Sequence, residues 1–296
     1  MSGRGGKAMV HRLLVMNIDD TVLQPNGKVN RSTKDAIEYV QSRGVKVSLV
    51  TSRNFNFAKK VAKALSIESL LIAHHGAFIA SSVDSAIFVK RIDEVIVQEI
   101  TRFLEKFPCE IRAIDEKITV TNKPFKNNSF IGRIVFDPAN NQAYQYQYAD
   151  DLSEYIMNTD IQPTHFEVLF TNEKDAKDVK EIIHKIYDEV DAYLYGNKLI
   201  ILPKGVSKFS SLLYALDYWN ISLKEVVAIG SGVDDLDILL AADVGVAMGN
   251  APHELKRNAD WITRSNKNDG VAYMIMEHFR KQQPLSFLEK ISNIKK

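Results

Sequence analysis

The stretch Arg12-Leu-Leu-Val-Met-Asn-Ile-Asp-Asp-Thr21 decides how this chain folds. Leu13 to Met16 is a short apolar run, as expected of a strand covered on both faces of a parallel sheet. It passes directly into the polar residues Asn17, Asp19, Asp20 and Thr21. Further along, Ser32 or Thr33 can cap a helix whose apolar positions Ala36, Ile37 and Val40 recur at helical spacing, closing at Gly44. Val45 to Val50 reads as the next strand. A helix follows from about Asn56 to Leu65, and Leu70 to Ala73 reads as a third strand. Strand and helix alternate, which is the pattern of an α/β, Rossmann-like, doubly wound parallel sheet.

From about Ser82 to Tyr195 the pattern changes. Ile87 to Val89, Ile111 to Ile114, Lys117 to Thr121, Phe130 to Phe136 and Phe166 to Phe170 are short, often alternating runs. Helical segments such as Glu94–Lys106 and Lys174–Asp188 lie between them. This block reads as an antiparallel sheet with helices on one face. Alternation of strand and helix then returns, with Leu199 to Leu202, Val226 to Ile229 and Val244 to Ala247 as strands. The economical account is a discontinuous core domain over 1–82 and 197–296, interrupted by an α+β domain over 83–196. The alternating Tyr144, Tyr146 and Tyr148 read as packing residues.

Bulk properties narrow the function. The 38 basic and 37 acidic side chains leave a formal charge of +1. No sequence-wide basic field exists to attract nucleic acid. Cys109 is the single cysteine, so no intramolecular disulfide can form, and a reducing cytoplasm is the expected setting. Residues 1–9 are Gly-rich and lack the apolar core of a signal peptide. No run approaches the ~18 apolar residues of a membrane span, so no membrane partner is expected. Near the C-terminus, Phe287, Leu288, Ile291 and Ile294 stand at helical spacing and predict a helix docked on the domain.

In a doubly wound sheet ligands bind where the loops leave the carboxyl ends of the strands. The polar residues at those ends are Asn17, Asp19 and Asp20, then Thr51, Ser52 and Arg53, then Ser231, Asp234 and Asp235. Lys204-Gly-Val-Ser-Lys208 joins them after the insertion. In this order they resemble the four motifs of the haloacid-dehalogenase superfamily, in its Cof-type branch with an inserted α/β cap. The resemblance runs from about Leu13 to Phe279. Its most specific pieces are Pro203–Lys208, Val246–Ala251 and Asn266–Ala272. Within that branch the chain is similar to Bacillus stress-response proteins.

The resemblance implies a Mg²⁺-dependent phosphatase of a small phosphorylated metabolite. In the family a first aspartate attacks the phosphoryl group, and an aspartate two residues on protonates the leaving group. Mg²⁺ bridges carboxylates and phosphate, while a hydroxyl and a lysine hold the phosphoryl oxygens. Mapped onto this chain, Asn17 takes the nucleophile's place and Asp19 that of the acid/base. Thr51 supplies the hydroxyl and Lys208 the lysine. Thr51, Ser52, Arg53, His75, Lys208 and Asn250 are the substrate-binding candidates. Asp19, Ser231, Asp234 and Asp235 are the candidate metal ligands.

Five departures matter. Asn17 is a neutral carboxamide, Ser231 stands where an aspartate ligand is expected, Asp234 replaces an Asn, Phe209 replaces a Gly, and His75 replaces an Asn. Loss of a covalent nucleophile costs on the order of 10⁴–10⁶ in turnover. Mg²⁺ needs anionic oxygens to offset its dehydration, so weak or absent binding is expected. Two lost anions at one site point to divergence. The first function is therefore a phosphatase-like hydrolase with impaired turnover. The alternative is a catalytically inactive phosphometabolite-binding or sensor protein. Either requires the motif residues to converge in one cleft between core and cap. The sequence carries no code for the substrate's identity or for the oligomeric state.

Overall fold

The computed structural model describes residues 10–81, 86–123 and 145–288. The chain divides into two compact units. One is drawn from Met1–Arg53, Phe57–Ser85 and Lys208–Lys296, the other from Asn54–Asn56 and Ala86–Ser207. In chain order the first unit opens with β1 (Leu13–Asn17), β2 (Lys46–Val50), β3 (Leu70–Ala73) and β4 (Phe78–Ser81). The second contains β5 (Ala86–Val89), β6 (Cys109–Ile114), β7 (Ile118–Thr121), β8 (Gln145–Tyr148), β9 (His165–Phe170), β10 (Val190–Tyr195) and β11 (Lys198–Pro203). The first unit resumes with β12 (Val226–Gly230), β13 (Val244–Ala247) and β14 (Trp261–Ile262).

Strands of the first unit lie in the order β14-β13-β12-β1-β2-β3-β4. All neighbouring pairs are parallel except β3 with β4. All five residues of β1 are buried, which its unbroken apolar run requires of a central strand. Its register sets Leu13 beside Val226 on one side and Lys46 on the other. Asn17 therefore falls level with Val50, and the loops after β1, β2 and β12 leave the same edge of the sheet.

The helix after β1 runs Arg31–Ser42 and buries Ala36, Ile37 and Val40 as their spacing predicts. Its cap is not Ser32 or Thr33 but Asn30, whose Oδ1 accepts the Thr33 N–H at 2.9 Å. Asparagine is as good a cap as serine, so composition alone did not separate neighbouring candidates. Gly44 follows in the left-handed conformation at φ +88° and ends the helix as expected. At the far end of the chain, the Leu285 N–H bonds the Arg43 carbonyl at 3.0 Å. Ile291 and Ile294 lie outside the described residues.

The second unit is a sheet of order β10-β11-β9-β6-β7-β8. Its pairs are antiparallel except β7 with β8. One face buries Ile111, Phe166, Val168, Phe170, Leu199 and Ile201 against helices Glu94–Leu104 and Glu173–Ile186. Cys109 is buried there too, and burial pushes its thiol up to about 11. Tyr146 and Tyr148 fall on β8, whereas Tyr144 and Phe130–Phe136 lie outside the described residues.

One strand differs from its reading. Leu199 to Leu202 was expected with the returning α/β core, yet β11 pairs with β10 and β9 in the second unit's sheet. Tyr195 and Lys198 face each other across the two-residue turn Gly196-Asn197, with Gly196 at φ +61°. A glycine with positive φ at the first turn position makes a tight hairpin, and a hairpin commits both strands to one sheet. The second unit accordingly runs on to Ser207.

Among the described residues no helix is long and apolar enough to cross a membrane. Gly245, on β13, gives a direct check of packing. A Cβ there would lie 2.2 Å from the Leu239 carbonyl oxygen, in the helix Leu236–Ala241. Gly245→Ala should cost about 1–3 kcal/mol, seen as a lower urea midpoint with an unchanged slope.

Candidate active site

Asn17 ends β1 with both ends of its carboxamide committed. Oδ1 accepts the Ile18 N–H at 2.8 Å, and Nδ2 donates to Asp235 Oδ2 at 3.0 Å. A longer contact of 3.4 Å links Nδ2 to the Asp19 carbonyl. The chain then makes a wide turn in which Asp19 is extended and Asp20 is left-handed at φ +53°. This turn leaves Asp20 exposed and sends its carbonyl to Asn250 Nδ2 at 2.8 Å.

Asp19 is held by Arg53. Nε and one terminal nitrogen of the guanidinium donate to the two carboxylate oxygens at 2.9 and 2.8 Å. This is the bidentate geometry that gives Arg–carboxylate pairs their strength and orientation. The same guanidinium lies over the Phe57 ring, 5.1 Å from its centre. Thr51, at the end of β2, is fully buried, and its Oγ1 accepts the Arg53 backbone N–H at 3.1 Å. Ser52 lies half-buried between them.

The Asp235 carboxylate is the centre of the site. Oδ2 receives Asn17 Nδ2 and the backbone N–H groups of Ser231 and Gly232, each at 3.0 Å. Oδ1 receives Lys208 Nζ at 2.8 Å. Lys208 opens the helix Lys208–Trp219 and also reaches Asp234 at 2.7 Å. Burial pushes the Asp235 carboxyl above the usual range, more than Lys208 pulls it down. Burial also opposes ionisation of Asp234, but there Lys208 prevails and holds the carboxyl low. Burial alone would depress the Lys208 ammonium, yet Asp235 and Asp234 raise it above the ordinary lysine value. Lys208 therefore stays charged at neutral pH.

Ser231 Oγ donates to the Asp19 carbonyl at 3.0 Å and accepts from Thr21 Oγ1 at 2.9 Å. Asn250, a substrate-binding candidate, joins two loops. Its Nδ2 bonds the Asp20 carbonyl and its Oδ1 accepts the Asn266 N–H at 2.8 Å. His75 is buried with φ +55°, immediately after His74 at φ +52°. Burial, then the neighbouring His75, depress the His74 imidazole to about 3, so it stays neutral. His is among the side chains that tolerate left-handed backbone, which fits His75 standing where the family pattern has Asn.

Asn17, Asp19, Thr51, Arg53, Lys208, Ser231, Asp234 and Asp235 are thus joined at one end of the sheet, although up to 218 residues separate direct partners. Sequence reasoning missed the coupling of Thr21 to Ser231 and the bracing role of Asn266, whose Nδ2 holds the Leu23 carbonyl at 2.8 Å. Hydroxyl and amide bridges of this kind carry no spacing signal.

The haloacid dehalogenase-like hydrolase family matches residues 14–275, and the chain belongs to that family. It is 42% identical over 283 residues to the stress response protein YhaX of Bacillus subtilis, covering 95% of this chain and 98% of that one. Phosphatase YwpJ of the same organism is 25% identical over 290 residues, covering 90% and 99%. A solved haloacid dehalogenase-like hydrolase from B. subtilis shares the fold, with a TM-score of 0.77 at 21% identity over 90% of this chain and 99% of that one.

The buried network yields a stability prediction. Lys208→Met leaves Asp234 and Asp235 facing each other without their cation. Breaking such a buried pair from one side costs about 3–5 kcal/mol. The loss should appear as a lower urea midpoint at pH 7 and shrink as the pH falls far enough to protonate the carboxylates.

Proposed function

We propose that this protein is a phosphatase-like hydrolase that takes a small phosphorylated metabolite at the strand ends and turns it over slowly. Membership of the hydrolase family and its phosphatase relatives supports the substrate class. Thr51, Arg53 and Lys208 are the groups for the phosphoryl oxygens, and the second unit serves as the cap. The observation that carries the impaired turnover is the Asn17 side chain. A neutral amide with its oxygen on the Ile18 N–H and its nitrogen on Asp235 is no nucleophile. Water must then attack phosphorus directly: its oxygen bonds phosphorus as the ester P–O bond breaks, and one water proton ends on the departing ester oxygen. Asp19, once released by Arg53, is the group in place to take that proton and pass it on.

Mg²⁺ is the cation that the family implies, and the donor set fits it poorly. Its expected ligands are the side chain at 17, the Asp19 carbonyl and the side chain at 231. Here those oxygens belong to a neutral amide, a carbonyl already accepting from Ser231, and a hydroxyl bonded to Thr21. Asp235 Oδ2 already receives three N–H groups. Mg²⁺ dehydrates reluctantly and gains little from such ligands. This favours a second reading, a phosphometabolite-binding or sensor protein with no turnover.

Assays of wild type, Asn17→Asp and Asn17→Asp/Ser231→Asp on p-nitrophenyl phosphate and phosphorylated sugars test the proposal. The double variant with Mg²⁺ should exceed wild type at least about 100-fold in kcat/KM, part of the loss expected for a missing nucleophile. Wild type as fast as the double variant would refute the impaired site, and binding without hydrolysis in wild type selects the sensor reading. Calorimetric titration of wild type with Mg²⁺ should show millimolar or weaker affinity. Alone, Asn17→Asp sets a carboxylate against Asp235. At an effective dielectric of 20 and ~4 Å the repulsion is on the order of 4 kcal/mol, so Tm should fall and partly recover with Mg²⁺.

A further inference from the structure

At the other end of β1 from Asn17, three side chains meet that the candidate site does not use. His11 precedes β1, Asp243 precedes β13, and His278 lies in the helix Gly270–Phe279. His11 Nε2 bonds Asp243 Oδ2 at 2.9 Å, and His11 Nδ1 lies 3.0 Å from His278 Nε2. Gln282 grips the His11 backbone from both sides, accepting its N–H and donating to its carbonyl, each at 2.8 Å. His11 is itself buried.

Asp243 holds Nε2 of His11 and so orients the ring, which turns Nδ1 toward His278. The two rings meet at an angle. The ring centres are 4.7 Å apart and the planes cross at 57°. A straight N–H···N bond at this separation would set the centres about 5.3 Å apart. At least one of the two nitrogens is therefore turned off the line that joins them. Two imidazole nitrogens 3.0 Å apart, bonded to each other here, are close enough to become neighbouring ligands on one metal ion, with metal–nitrogen distances of about 2.0–2.1 Å.

We propose that His11 and His278 form a two-histidine chelate for a divalent transition-metal ion of the zinc, cobalt and nickel class, with Asp243 orienting His11 from behind. Nitrogen donors suit these ions and not Mg²⁺, so the site is chemically separate from the strand-end carboxylates. Asp243 attracts the cation and Lys281 opposes it. Solvent completes the coordination. The ion would tie the start of β1 to the helix Gly270–Phe279, as Gln282 already does through the His11 backbone.

Zinc titration of the metal-free full chain by calorimetry, with Co²⁺ visible absorption as a ligand-sensitive readout, tests the assignment. Wild type should bind one more zinc equivalent than His278→Gln, and Zn²⁺ should raise Tm in wild type alone. Asp243→Asn should weaken that equivalent by about 10-fold or more, as loss of an orienting carboxylate does at other metal sites. The same number of equivalents at the same affinity in His278→Gln would overturn the site. An unchanged affinity in Asp243→Asn would overturn the orienting role. Histidine-ring ¹⁵N spectra of wild type provide a check that needs no variant. Zn²⁺ should shift His11 Nδ1 and His278 Nε2, and ring signals indifferent to Zn²⁺ would also overturn the proposal.

Discussion

The strand-end site rests on one carboxylate. Asp235 is 3% exposed and receives four donors from three places: Asn17 at the end of β1, Ser231 and Gly232 after β12, and Lys208 at the start of a helix. An ion removed from water is stable only when its oxygens are met by donors, and here both are. Meeting them fixes the relative positions of elements far apart in sequence. Gly230 makes room for this, since a Cβ there would lie 2.6 Å from Asp235 Cβ.

The same interaction explains how the chain tolerates Asn17. A carboxylate at position 17 would face Asp235 across a hydrogen-bond distance and need a cation between them. The amide places an N–H there instead, so part of the cation's electrostatic role passes to a neutral donor. Ser231 continues the substitution by sharing hydrogen bonds with Thr21 and the Asp19 carbonyl. Arg53 neutralises Asp19, and Lys208 serves both Asp234 and Asp235. Three carboxylates thus face two cations, and every charged side chain named here has a partner within the protein. In such a site any ligand must compete with internal partners.

Much of this was legible in the sequence. The apolar run at Leu13–Met16 and the strand–helix alternation predict a parallel sheet, because a strand covered on both faces needs an uninterrupted apolar stretch. The motif residues around positions 17, 51, 208 and 231 indicated the family before any geometry was known. The strand at Leu199–Leu202 was read into the wrong sheet, since an apolar run specifies burial and not its neighbours. The Gly196-Asn197 turn, a two-residue hairpin signal, was the clue that outweighed it. The helix cap at Asn30 was misplaced for a smaller reason: adjacent Asn and Ser are nearly equal candidates until the backbone chooses one.

The sequence by itself determined the fold class and the family, because each is a matter of residue type and local spacing. Only the tertiary structure decided which partners the remaining charges take. Asp19 goes to Arg53, Lys208 bridges Asp234 and Asp235, and Asn250 braces two loops. His11 and His278, 267 residues apart, meet only because β1 and the helix Gly270–Phe279 pack in one unit. Hydrogen bonds and ion pairs depend on separations of a few ångströms, and between distant residues the folded backbone alone sets those.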